Sequence, residues 1–434
     1  MMPQPRSVSA HPGADSYWMD TATPAPRAPA LEESRHTDVL IIGAGFTGLS
    51  TALHLAPSGA SVTVVDAHQP GWGASGRNGG QVNPTLKYDP DELTAMFGDR
   101  ADKLIHAIAA SADQVFDLID RHRMDCKPVR SGWLQVSYKA SGILALHRRA
   151  RQWQDRGYPA DPLDDAATRR LTGTHAFRGG WIDRRAGSLH PLSYARGLYQ
   201  AALAAGVRVF GDSPVTQLSR QGRQWAATLP GGIRITAGQV VLATNGYSDA
   251  LLPGLAQTIL PANSFIIATS ALGDRSRHIL PSGETLSTAE RLLIYLRKEA
   301  DGRLLLGGRG LFDDPAGPGD FDHIARSMTR IFPELAPFHY EYRWAGRIAI
   351  TRDFLPHVHR PAPGMLVALG YNGRGVAAAT AMGIHLARLL TGGAETEFPF
   401  PITPLRQIPL HGSLQRFYIS AGVAWYGLLD RLSL

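Results

Sequence analysis

The residues whose spacing points most clearly to chemistry form a turn near the start of the chain, Gly43-Ala44-Gly45-Phe46-Thr47-Gly48. The first glycine permits a tight turn, the second lets the backbone approach a pyrophosphate, and the third lets a helix sit close to the preceding strand. The helix N-terminus, with Phe46 and Thr47, would then face the phosphates. Asp66, followed by Ala67, would accept hydrogen bonds from ribose hydroxyls. The turn therefore predicts dinucleotide binding.

Two later segments decide which dinucleotide is expected. Residues 71–80 contain five glycines, and such a segment can hold its backbone amides close to a large planar group; the candidates are Gly73, Ala74, Ser75, Arg77, Asn78, Gly79 and Gly80. The turn Gly370-Tyr371-Asn372-Gly373-Arg374-Gly375 again precedes a helix, which starts near Val376. A helix N-terminus aimed at a flavin pyrimidine ring would stabilise the negative charge that develops on reduction. FAD therefore fits better than NAD, and no later G-x-G-x-x-G supports a built-in NADPH site.

Regular elements connect these segments and would position them. The apolar run Val39–Ile42 is typical of a buried parallel strand, the pattern from Leu49 to Ala56 is helical, and a second strand runs from Ser61 to Val65. Further strands are predicted at 132–138, 207–210, 240–243 and 365–369, and further helices at 192–205 and 376–390. Segments at 264–269, 292–297 and 303–306 alternate in the manner of antiparallel strands.

This alternation predicts a discontinuous α/β FAD-binding domain of Rossmann-like type, formed by residues 37–90, 180–256 and 345–395. An inserted α+β substrate domain with a mixed or antiparallel sheet would comprise residues 91–179 and 257–344. Residues 1–36 are expected to be a partly ordered arm, with ordered structure beginning at Asp38. Residues 396–434 are expected to be a tail that carries an amphipathic helix at Phe417–Leu429.

Composition argues against several other classes of protein. The net charge is +7, but only five of the 44 basic residues are lysines and no basic run is present, which argues against nucleic-acid binding. The single cysteine, Cys126, excludes an internal disulfide or a cysteine metal cluster and is compatible with the cytoplasm. The last apolar stretch is too short to span a bilayer, and peripheral membrane contact is the minor alternative to packing on the protein itself.

In their order along the chain, these motifs resemble the D-amino-acid oxidase superfamily. Within it they are most similar to the γ-glutamylputrescine oxidoreductase group of the glycine and sarcosine oxidase branch. The resemblance covers nearly the whole chain and rests on Ser16–Asp20, Asp38–Gly80, His190-Pro191, Ala243–Tyr247, Arg303–Gly308, Tyr342–Gly346 and Leu405–Leu432.

The resemblance implies where FAD is held and what reaction it serves. The flavin would contact the first glycine turn, the loop 73–80, the segment near Val215, the strand end Ala243-Thr244-Asn245-Gly246 and the late turn Gly370–Val376. A neutral amine or amino acid would lose a hydride from the adjacent carbon to flavin N5, giving an imine that water hydrolyses. The protein would mainly orient the reactants, so no dedicated acid or base is required.

The sequence departs from the pattern of this group at three places. Leu305 stands where small sarcosine oxidases have a lysine that assists oxygen, so a quinone or protein electron acceptor is an alternative to O2. Arg347-Ile348-Ala349 occupies the region of their flavin-linking cysteine, and Cys126 is distant in sequence, so non-covalent FAD is expected. Arg374 stands where a histidine is common, which implies a different substrate or flavin contact. Lys87 is a further group that could approach the flavin.

Arginines are the candidates for orienting the substrate. Arg347 aligns with a carboxylate-binding arginine of glycine oxidases, and Arg309 and Arg374 are its expected neighbours, because a guanidinium group suits bidentate carboxylate recognition. A structural ion pair is the alternative for each of them. His357 and His359 lie two apart on a predicted strand, but no third ligand is evident, so packing is favoured and no metal is expected.

The first hypothesis is therefore FAD-dependent oxidation of a secondary amine, a γ-glutamylated polyamine, or an N-alkyl or cyclic amino acid. A flavin-binding subunit of a multi-protein dehydrogenase, with little activity alone, is a second possibility. A flavin monooxygenase fed by an external reductase is a third.

Overall fold

The computed structural model describes residues 16–290, 293–310 and 313–409. The predicted helix at 417–429 therefore lies outside the described residues. Within these ranges the helices are α1 (Tyr17–Thr21), α2 (Phe46–Leu55), α3 (Pro90–Phe97), α4 (Ala101–Ala109), α5 (Ser111–His122), α6 (Ala140–Gln154), α7 (Asp165–Thr172), α8 (Pro191–Ala204), α9 (Asp322–Ile331) and α10 (Gly375–Leu390).

The strands of the same ranges form two large sheets and one small one. They are β1 (Arg35–Ile42), β2 (Val62–Val65), β3 (Gln81–Val82), β4 (Trp133–Ser137), β5 (Ala160–Leu163), β6 (Gly179–Asp183), β7 (Gly187–Ser188), β8 (Arg208–Phe210), β9 (Gln217–Gln221), β10 (Gln224–Thr228), β11 (Arg234–Leu242), β12 (Ile259–Thr269), β13 (Thr285–Thr288), β14 (Ile294–Lys298), β15 (Leu304–Arg309), β16 (Tyr340–Thr351), β17 (His357–His359), β18 (Met365–Leu369) and β19 (Ile402–Thr403).

The first sheet has a parallel centre in the order β18-β11-β1-β2-β8. Its central strand β1 is buried on both faces from Val39 to Ile42, because helices pack on one face and the β9–β10 hairpin lies towards the other. That position explains why β1 reads as a continuous apolar run rather than an alternating one. The parallel strands predicted from such runs are confirmed.

Helices α2 and α10 pack against each other unusually closely on this sheet. A Cβ atom added at Gly383 would lie 2.5 Å from Ser50 Cβ, and Ser50 Oγ donates a hydrogen bond of 2.8 Å to the carbonyl of Thr380. Only a glycine allows so close a crossing, so the two helices hold their N-termini in a fixed relation.

The second sheet has the order β16-β12-β15-β14-β13-β4-β6-β5, and only its β13–β4 pair is parallel among the described strands. Its outer face is covered by α9 in an apolar cluster of its own. Its inner face carries Trp133 and Trp181, which belong to the apolar cluster of the first sheet, and Gln81 of the small β3–β7 sheet donates to the carbonyls of Leu286 and Leu296. The predicted class, an α/β domain combined with a domain that carries a mixed sheet, is confirmed.

Two of the predicted domain boundaries fall inside strands of the second sheet. Strand β6 (Gly179–Asp183) pairs with β4 and β5, and β16 pairs with β12 along its length, so both belong to the second sheet. The boundaries at 180 and 345 cut these two strands. The apolar pattern of β16 resembles that of the first sheet, because part of the strand is buried on both faces.

The expectation that ordered structure begins at Asp38 is wrong. Helix α1 starts at Tyr17, with Ser16 as its N-cap, and Trp18 is fully buried. The arm from Ser16 onward has a fixed place because this indole ring has a site in the interior, between the second sheet and α8.

His190 links the arm to α8 and is held neutral. Its Nδ1 accepts the N–H of Ser193 as the helix N-cap, and its Nε2 lies 3.1 Å from the Thr21 hydroxyl, which itself donates to the Tyr17 carbonyl. Burial, together with the nearby charge of Arg297, lowers the pKa of His190 from 6.5 to about 3.

We predict that this histidine makes the protein acid-sensitive. Because its folded-state pKa is depressed, His190 contributes stability that is complete above about pH 6.5 and is lost as the pH falls towards 3. Asparagine keeps an N-cap acceptor without a titrating group. Between pH 7.5 and 5.0 the wild type should lose about 2 kcal/mol more unfolding free energy than His190→Asn, measured by urea titration. Parallel loss in both proteins would contradict this role.

Candidate active site

The carboxyl ends of the five parallel strands meet at one edge of the first sheet, where ligands bind in open α/β sheets. Gly43 follows β1, Asp66 follows β2, Ala243 follows β11 and Gly370 follows β18. The structure therefore brings together the first turn, the acidic residue, the strand end and the late turn, which are far apart in sequence.

The first turn has the close contacts that its glycines were expected to allow. Gly43 has a φ of +114°, and a Cβ atom added at Gly48 would lie 1.9 Å from the Gly43 carbonyl oxygen. At Gly45, an added Cβ would meet the Ser75 hydroxyl at 2.8 Å. Helix α2 begins directly after Gly45 without a side-chain cap from that residue. The Phe46 N–H bonds to Ser75 Oγ, so the first-turn N–H groups left for an anion are those of Thr47 and Gly48.

Asp66 is held in place by backbone N–H groups. Its Oδ2 accepts from Ala44 at 2.7 Å, and its Oδ1 accepts from His68 at 2.9 Å. Burial raises the pKa of this carboxyl, while the two N–H donors act in the opposite direction. Each oxygen keeps a further lone pair, which suits the ribose hydroxyls expected there. Ala67 follows at an exposed position.

The loop 73–80 is shaped by its own side chains and joined to α2. Asn78 donates to the carbonyls of Ala74 and Ser75 and accepts the N–H of Gly80, while Ser75 Oγ accepts the N–H of Phe46 at 3.0 Å. The loop and the first turn therefore form one unit.

Arg77 lies in this loop and contacts Trp72 at its start. Its Nε donates 2.8 Å to the Trp72 carbonyl, and its guanidinium group lies 4.2 Å from the centre of the Trp72 ring. The side chain is buried, so this arginine orders the start of the loop through Trp72.

The late turn has the backbone of a nest. Gly370, Asn372 and Gly373 have φ values of +86°, +51° and +86°. The turn is tied to the end of β11, because Asn245 Oδ1 accepts the Gly370 N–H at 2.9 Å. Helix α10 follows, and its N-cap residue, Arg374, makes no side-chain cap. Gly375 and Val376 therefore present N–H groups at a second helix N-terminus.

The two helix N-termini lie at the same edge of the sheet. Tyr371 Oη and Thr47 Oγ1 are 2.6 Å apart and join the start of α2 to the late turn. Two positive dipole ends converge here, which suits an anionic ligand at one and developing negative charge at the other. This arrangement matches the needs of a flavin dinucleotide better than those of a single phosphate.

Comparison with known proteins agrees with this geometry. A sequence model described as "FAD dependent oxidoreductase", of the DAO family, matches residues 38–389. The chain belongs to the DAO family of FAD-dependent oxidoreductases. The expected use of FAD is thereby confirmed, as is the prediction of an enzyme.

Full-length relatives narrow the comparison. The chain is 33% identical to gamma-glutamylputrescine oxidoreductase of Escherichia coli K12, over 96% of this chain and 98% of that protein. It is 32% identical to the probable oxidoreductase OrdL of Rhizobium meliloti, over 96% and 97% of the two chains. Among solved structures, glycine oxidase from Geobacillus kaustophilus shares the fold with a TM-score of 0.71 at 20% identity, over 83% of this chain and 95% of that one.

Arg374 is the sequence candidate that this DAO-family fold directs into the interior between the two sheets. Its Nη1 donates to the Thr85 hydroxyl, and its guanidinium group lies 5.3 Å from the centre of the Trp133 ring on the inner face of β4. Burial, and then the nearby charge of Arg149, lower the pKa of Arg374 from 12.5 to about 9. The guanidinium stays charged at neutral pH. The carboxylates of Asp89 and Asp183 raise its pKa but do not outweigh burial, so the cation is only partly compensated.

Other polar groups lie beside Arg374. Trp133 Nε1 donates 3.0 Å to Ser287 Oγ, which donates 3.3 Å to Gln81 Oε1. Asn83 Nδ2 also donates to Gln81, whereas the buried Asn83 Oδ1 has no hydrogen-bond partner among the described residues. Buried polar atoms of this kind are usually satisfied, so the region is suited to a polar ligand.

Arg347 and Arg309 lie on strands β16 and β15, whereas Arg374 precedes α10, and their contacts differ from those of Arg374. Arg347 is exposed, forms an ion pair of 3.2 Å with Asp314, and lies on the face of β16 opposite to Ile348, whose Cδ1 faces the late turn. Arg309 ends β15, and its carbonyl accepts from His323. Which face of a strand a side chain occupies depends on the pairing register, which the sequence resemblance does not give.

The remaining sequence candidates, Lys87, His357 and His359, contact neighbouring protein groups. Lys87 is exposed, with its Nζ 5.1 Å from the Phe354 ring centre. His357 bonds to Asp353, and His359 bonds to the Thr403 carbonyl. No group of three possible metal ligands occurs among the described residues.

Three further positions bear on the cofactor. Val215 lies in the apolar cluster beneath the β9–β10 hairpin, and Thr244 Oγ1 is 2.7 Å from Ser248 Oγ at the end of β11. Cys126 is buried, and burial raises the pKa of its thiol to about 12, which makes it a poor nucleophile.

In the part of the chain that the structure describes, no helix is long and apolar enough to cross a membrane.

No pattern in the sequence indicates that several residues distant along the chain contact the loop 73–80. Trp18 and Trp344 donate their indole N–H groups to the carbonyls of Asn78 and Arg77, each at 2.9 Å, and Arg297 donates to that of Gly79 at 3.4 Å. No spacing rule identifies these residues, because each is distant in sequence from the carbonyl it contacts.

We predict that Gly45→Ala weakens FAD binding while the fold is retained. The added Cβ would meet only the Ser75 side chain, yet it would stand where a pyrophosphate must approach the backbone. Affinity should fall by about tenfold or more in reconstitution of the apoprotein, followed by flavin fluorescence. Gly319→Ala is the matched control, since an added Cβ there meets nothing within 4 Å. Equal affinity of the two variants would refute the assignment of this turn.

Proposed function

We propose that this protein oxidises an amine that carries an anionic group, giving an imine that water hydrolyses. The substrate class comprises secondary amines, γ-glutamylated polyamines and N-alkyl or cyclic amino acids. The observation that carries the proposal is the only partly compensated Arg374 guanidinium, held between the sheets beside the N-terminus of α10. The name of the Escherichia coli relative, gamma-glutamylputrescine oxidoreductase, supports the same class of substrate.

The residues of the converging strand ends would hold FAD without a covalent bond. The first turn and Asp66 suit the ADP end, whereas the loop 73–80, the strand end 243–246 and the late turn suit the flavin end. When bound, FAD supplies the acceptor for the hydride that leaves the carbon beside the substrate nitrogen. The N-terminus of α10 would stabilise negative charge at that end of the site.

Arg374 would orient the substrate by its anionic group. Arg149, the neighbouring cation, is itself compensated by an ion pair with Asp89 and by Gln135 Oε1 at 2.6 Å. Among the described residues, the hydrogen-bond acceptor of Arg374 is the neutral hydroxyl of Thr85. A carboxylate would therefore complete the electrostatics of this arginine and offer it two oxygens.

Trp133 and Trp181 would exclude water from the bound amine. Their rings meet edge to face on the inner face of the second sheet, with centroids 5.6 Å apart, and both are fully or almost fully buried. No side chain needs to act as an acid or base, because a neutral amine requires only orientation towards the acceptor.

Anaerobic titration of the FAD-loaded enzyme tests the proposal. The panel would contain γ-glutamylated polyamines, N-methyl amino acids and cyclic imino acids, each with a decarboxylated analogue. We expect at least one anionic amine to bleach the flavin absorbance faster than its analogue. If no amine or amino acid bleaches it, the proposed function is wrong.

We predict that Arg374→Gln impairs the oxidation of anionic amines through substrate binding. Loss of a buried charged hydrogen bond should lower kcat/KM by about 30-fold to 1,000-fold, and much less for a decarboxylated analogue. Arg347→Gln is the matched control, because that side chain is exposed and paired with Asp314. Steady-state kinetics with both substrates decide the matter. An equal loss of kcat/KM in the two variants would contradict a substrate-binding role for Arg374.

We also propose that the electron acceptor is a quinone or a protein rather than O2. Leu305 is buried in an apolar cluster with Tyr17, Trp18 and Trp344, so it provides no positive charge to stabilise a reduced oxygen anion.

We predict that reduced enzyme reacts slowly with oxygen. In stopped-flow experiments, air-saturated buffer should reoxidise the flavin at least about tenfold more slowly than an equimolar soluble quinone analogue, because Leu305 places an apolar side chain where a lysine would favour the oxygen anion. Faster reaction with oxygen than with the quinone would overturn the proposed acceptor.

A further inference from the structure

The described part of the N-terminal arm that precedes β1, residues 16–34, makes contacts at both ends of the proposed cofactor site. It lies outside the region matched by the family's sequence model, which begins at residue 38. Its helix α1 is capped by Ser16, whose Oγ accepts the Met19 N–H at 3.2 Å. Within this single turn Trp18 is fully buried, whereas the next residue, Met19, is 48% exposed.

Trp18 inserts between the second sheet and the cofactor loop. Its ring lies edge-on to His190 and Trp344, with centroids 4.7 and 5.9 Å away, and the Arg297 guanidinium is 5.3 Å from it. A buried indole N–H requires an acceptor, and here that acceptor is the carbonyl of Asn78 at 2.9 Å. The arm thus contributes a specific bond to the loop, in addition to apolar packing.

Donors from outside the loop hold two successive carbonyls in it. Trp344 bonds to the carbonyl of Arg77 and Trp18 to that of Asn78, each at 2.9 Å. Arg297, which forms an ion pair of 2.8 Å with the buried Glu299, makes its short bond of 2.6 Å to the Leu189 carbonyl and reaches that of Gly79 only at 3.4 Å. The N–H groups of Asn78 and Gly80 bond within the loop, to the Ala74 carbonyl and to Asn78 Oδ1. The peptide that Trp18 holds carries the Gly79 N–H on its other side, so the Trp18 bond helps to define where that N–H points.

The second half of the arm is tied to the ribose side of the site. Ala28 N–H donates 2.9 Å to Gln69 Oε1, Leu31 N–H donates 2.9 Å to Ser213 Oγ, and Arg27 forms an ion pair of 2.7 Å with Asp212. Ser213 also donates its own N–H to the carbonyl of Asp66 at 2.8 Å. One continuous stretch of chain therefore bridges the segments that flank Asp66 and the loop 73–80.

We propose that Trp18 is a positioning residue for FAD, and that docking of the arm and binding of FAD stabilise each other. The inference rests on the proposed cofactor site, because it takes the loop 73–80 as a contact of FAD. If the arm sets the peptide planes of that loop, releasing the arm weakens the site. By linkage, bound FAD must then favour the docked arm by the same factor.

The experiment compares Trp18→Phe with Met19→Ala in the full-length protein. Phenylalanine retains an aromatic ring but lacks the N–H donor, whereas Met19 is exposed in the same helical turn. Apoprotein would be prepared and FAD binding measured by flavin fluorescence. We expect about fivefold to tenfold weaker FAD binding for Trp18→Phe, the loss associated with one buried hydrogen bond, and less than twofold change for Met19→Ala.

A second measurement examines the coupling on the wild type and does not depend on a variant folding. Arg27 is exposed and offers a tryptic cleavage site within the arm. FAD should slow cleavage at Arg27 by at least about tenfold when the docked arm is coupled to the cofactor, and this protection should shrink in Trp18→Phe.

The outcomes separate this inference from the proposed function. If folded Trp18→Phe binds FAD as tightly as the wild type, or if FAD leaves wild-type cleavage at Arg27 unchanged, the coupling is refuted. Lower thermal stability of Trp18→Phe with unchanged FAD affinity would show a structural role only, and would also refute it. If both expected effects appear but no amine reduces the flavin, the inference stands and the proposed substrate class fails.

Discussion

The close approach of α2 to the end of β1 is the constraint on which the site depends. A side chain at Gly48 would collide with the carbonyl of Gly43 at 1.9 Å, so a glycine is required for the helix to begin directly at the edge of the sheet. The second close crossing, at Gly383 and Ser50, then fixes α10 against α2. Together they bring two helix N-termini to one edge, where their unpaired N–H groups favour an anionic ligand.

Charge is distributed unevenly around this edge. Asp66 stands at the ribose end with its oxygens held by backbone donors, whereas Arg374 stands beside the other helix N-terminus with a neutral partner, Thr85. A carboxylate in an environment of N–H donors is satisfied without a counter-ion, whereas the half-buried Arg374 guanidinium lies beside a second arginine and is only partly compensated by Asp89 and Asp183. The asymmetry explains why the proposed substrate is anionic while the adenosine end carries the acidic residue.

The part of the site that could be predicted from sequence is the part that depends on local chemistry. The first turn, Asp66 and the strands around them follow from glycine geometry and from apolar runs, and both are local properties of the chain. The order of the arm around Trp18 was not predicted, because it depends on a bond to Asn78, which is 60 residues away in sequence. Arg347 was the first candidate because of its aligned position, and its substrate role, like that of Arg374, stays a prediction. The sequence does not reveal that its side chain is exposed and paired with Asp314. The domain boundaries at 180 and 345 shifted because β6 and β16 are recognisable only by their pairing partners.

The most direct test of the account is a crystal structure of the FAD-loaded enzyme with a slowly reacting anionic amine. We expect the pyrophosphate within hydrogen-bonding distance of the N–H groups that begin α2, and the flavin between the loop 73–80 and the late turn. We also expect the carboxylate of the amine on Arg374. A dinucleotide bound elsewhere, or a substrate anion bound to Arg347 instead, would contradict the account.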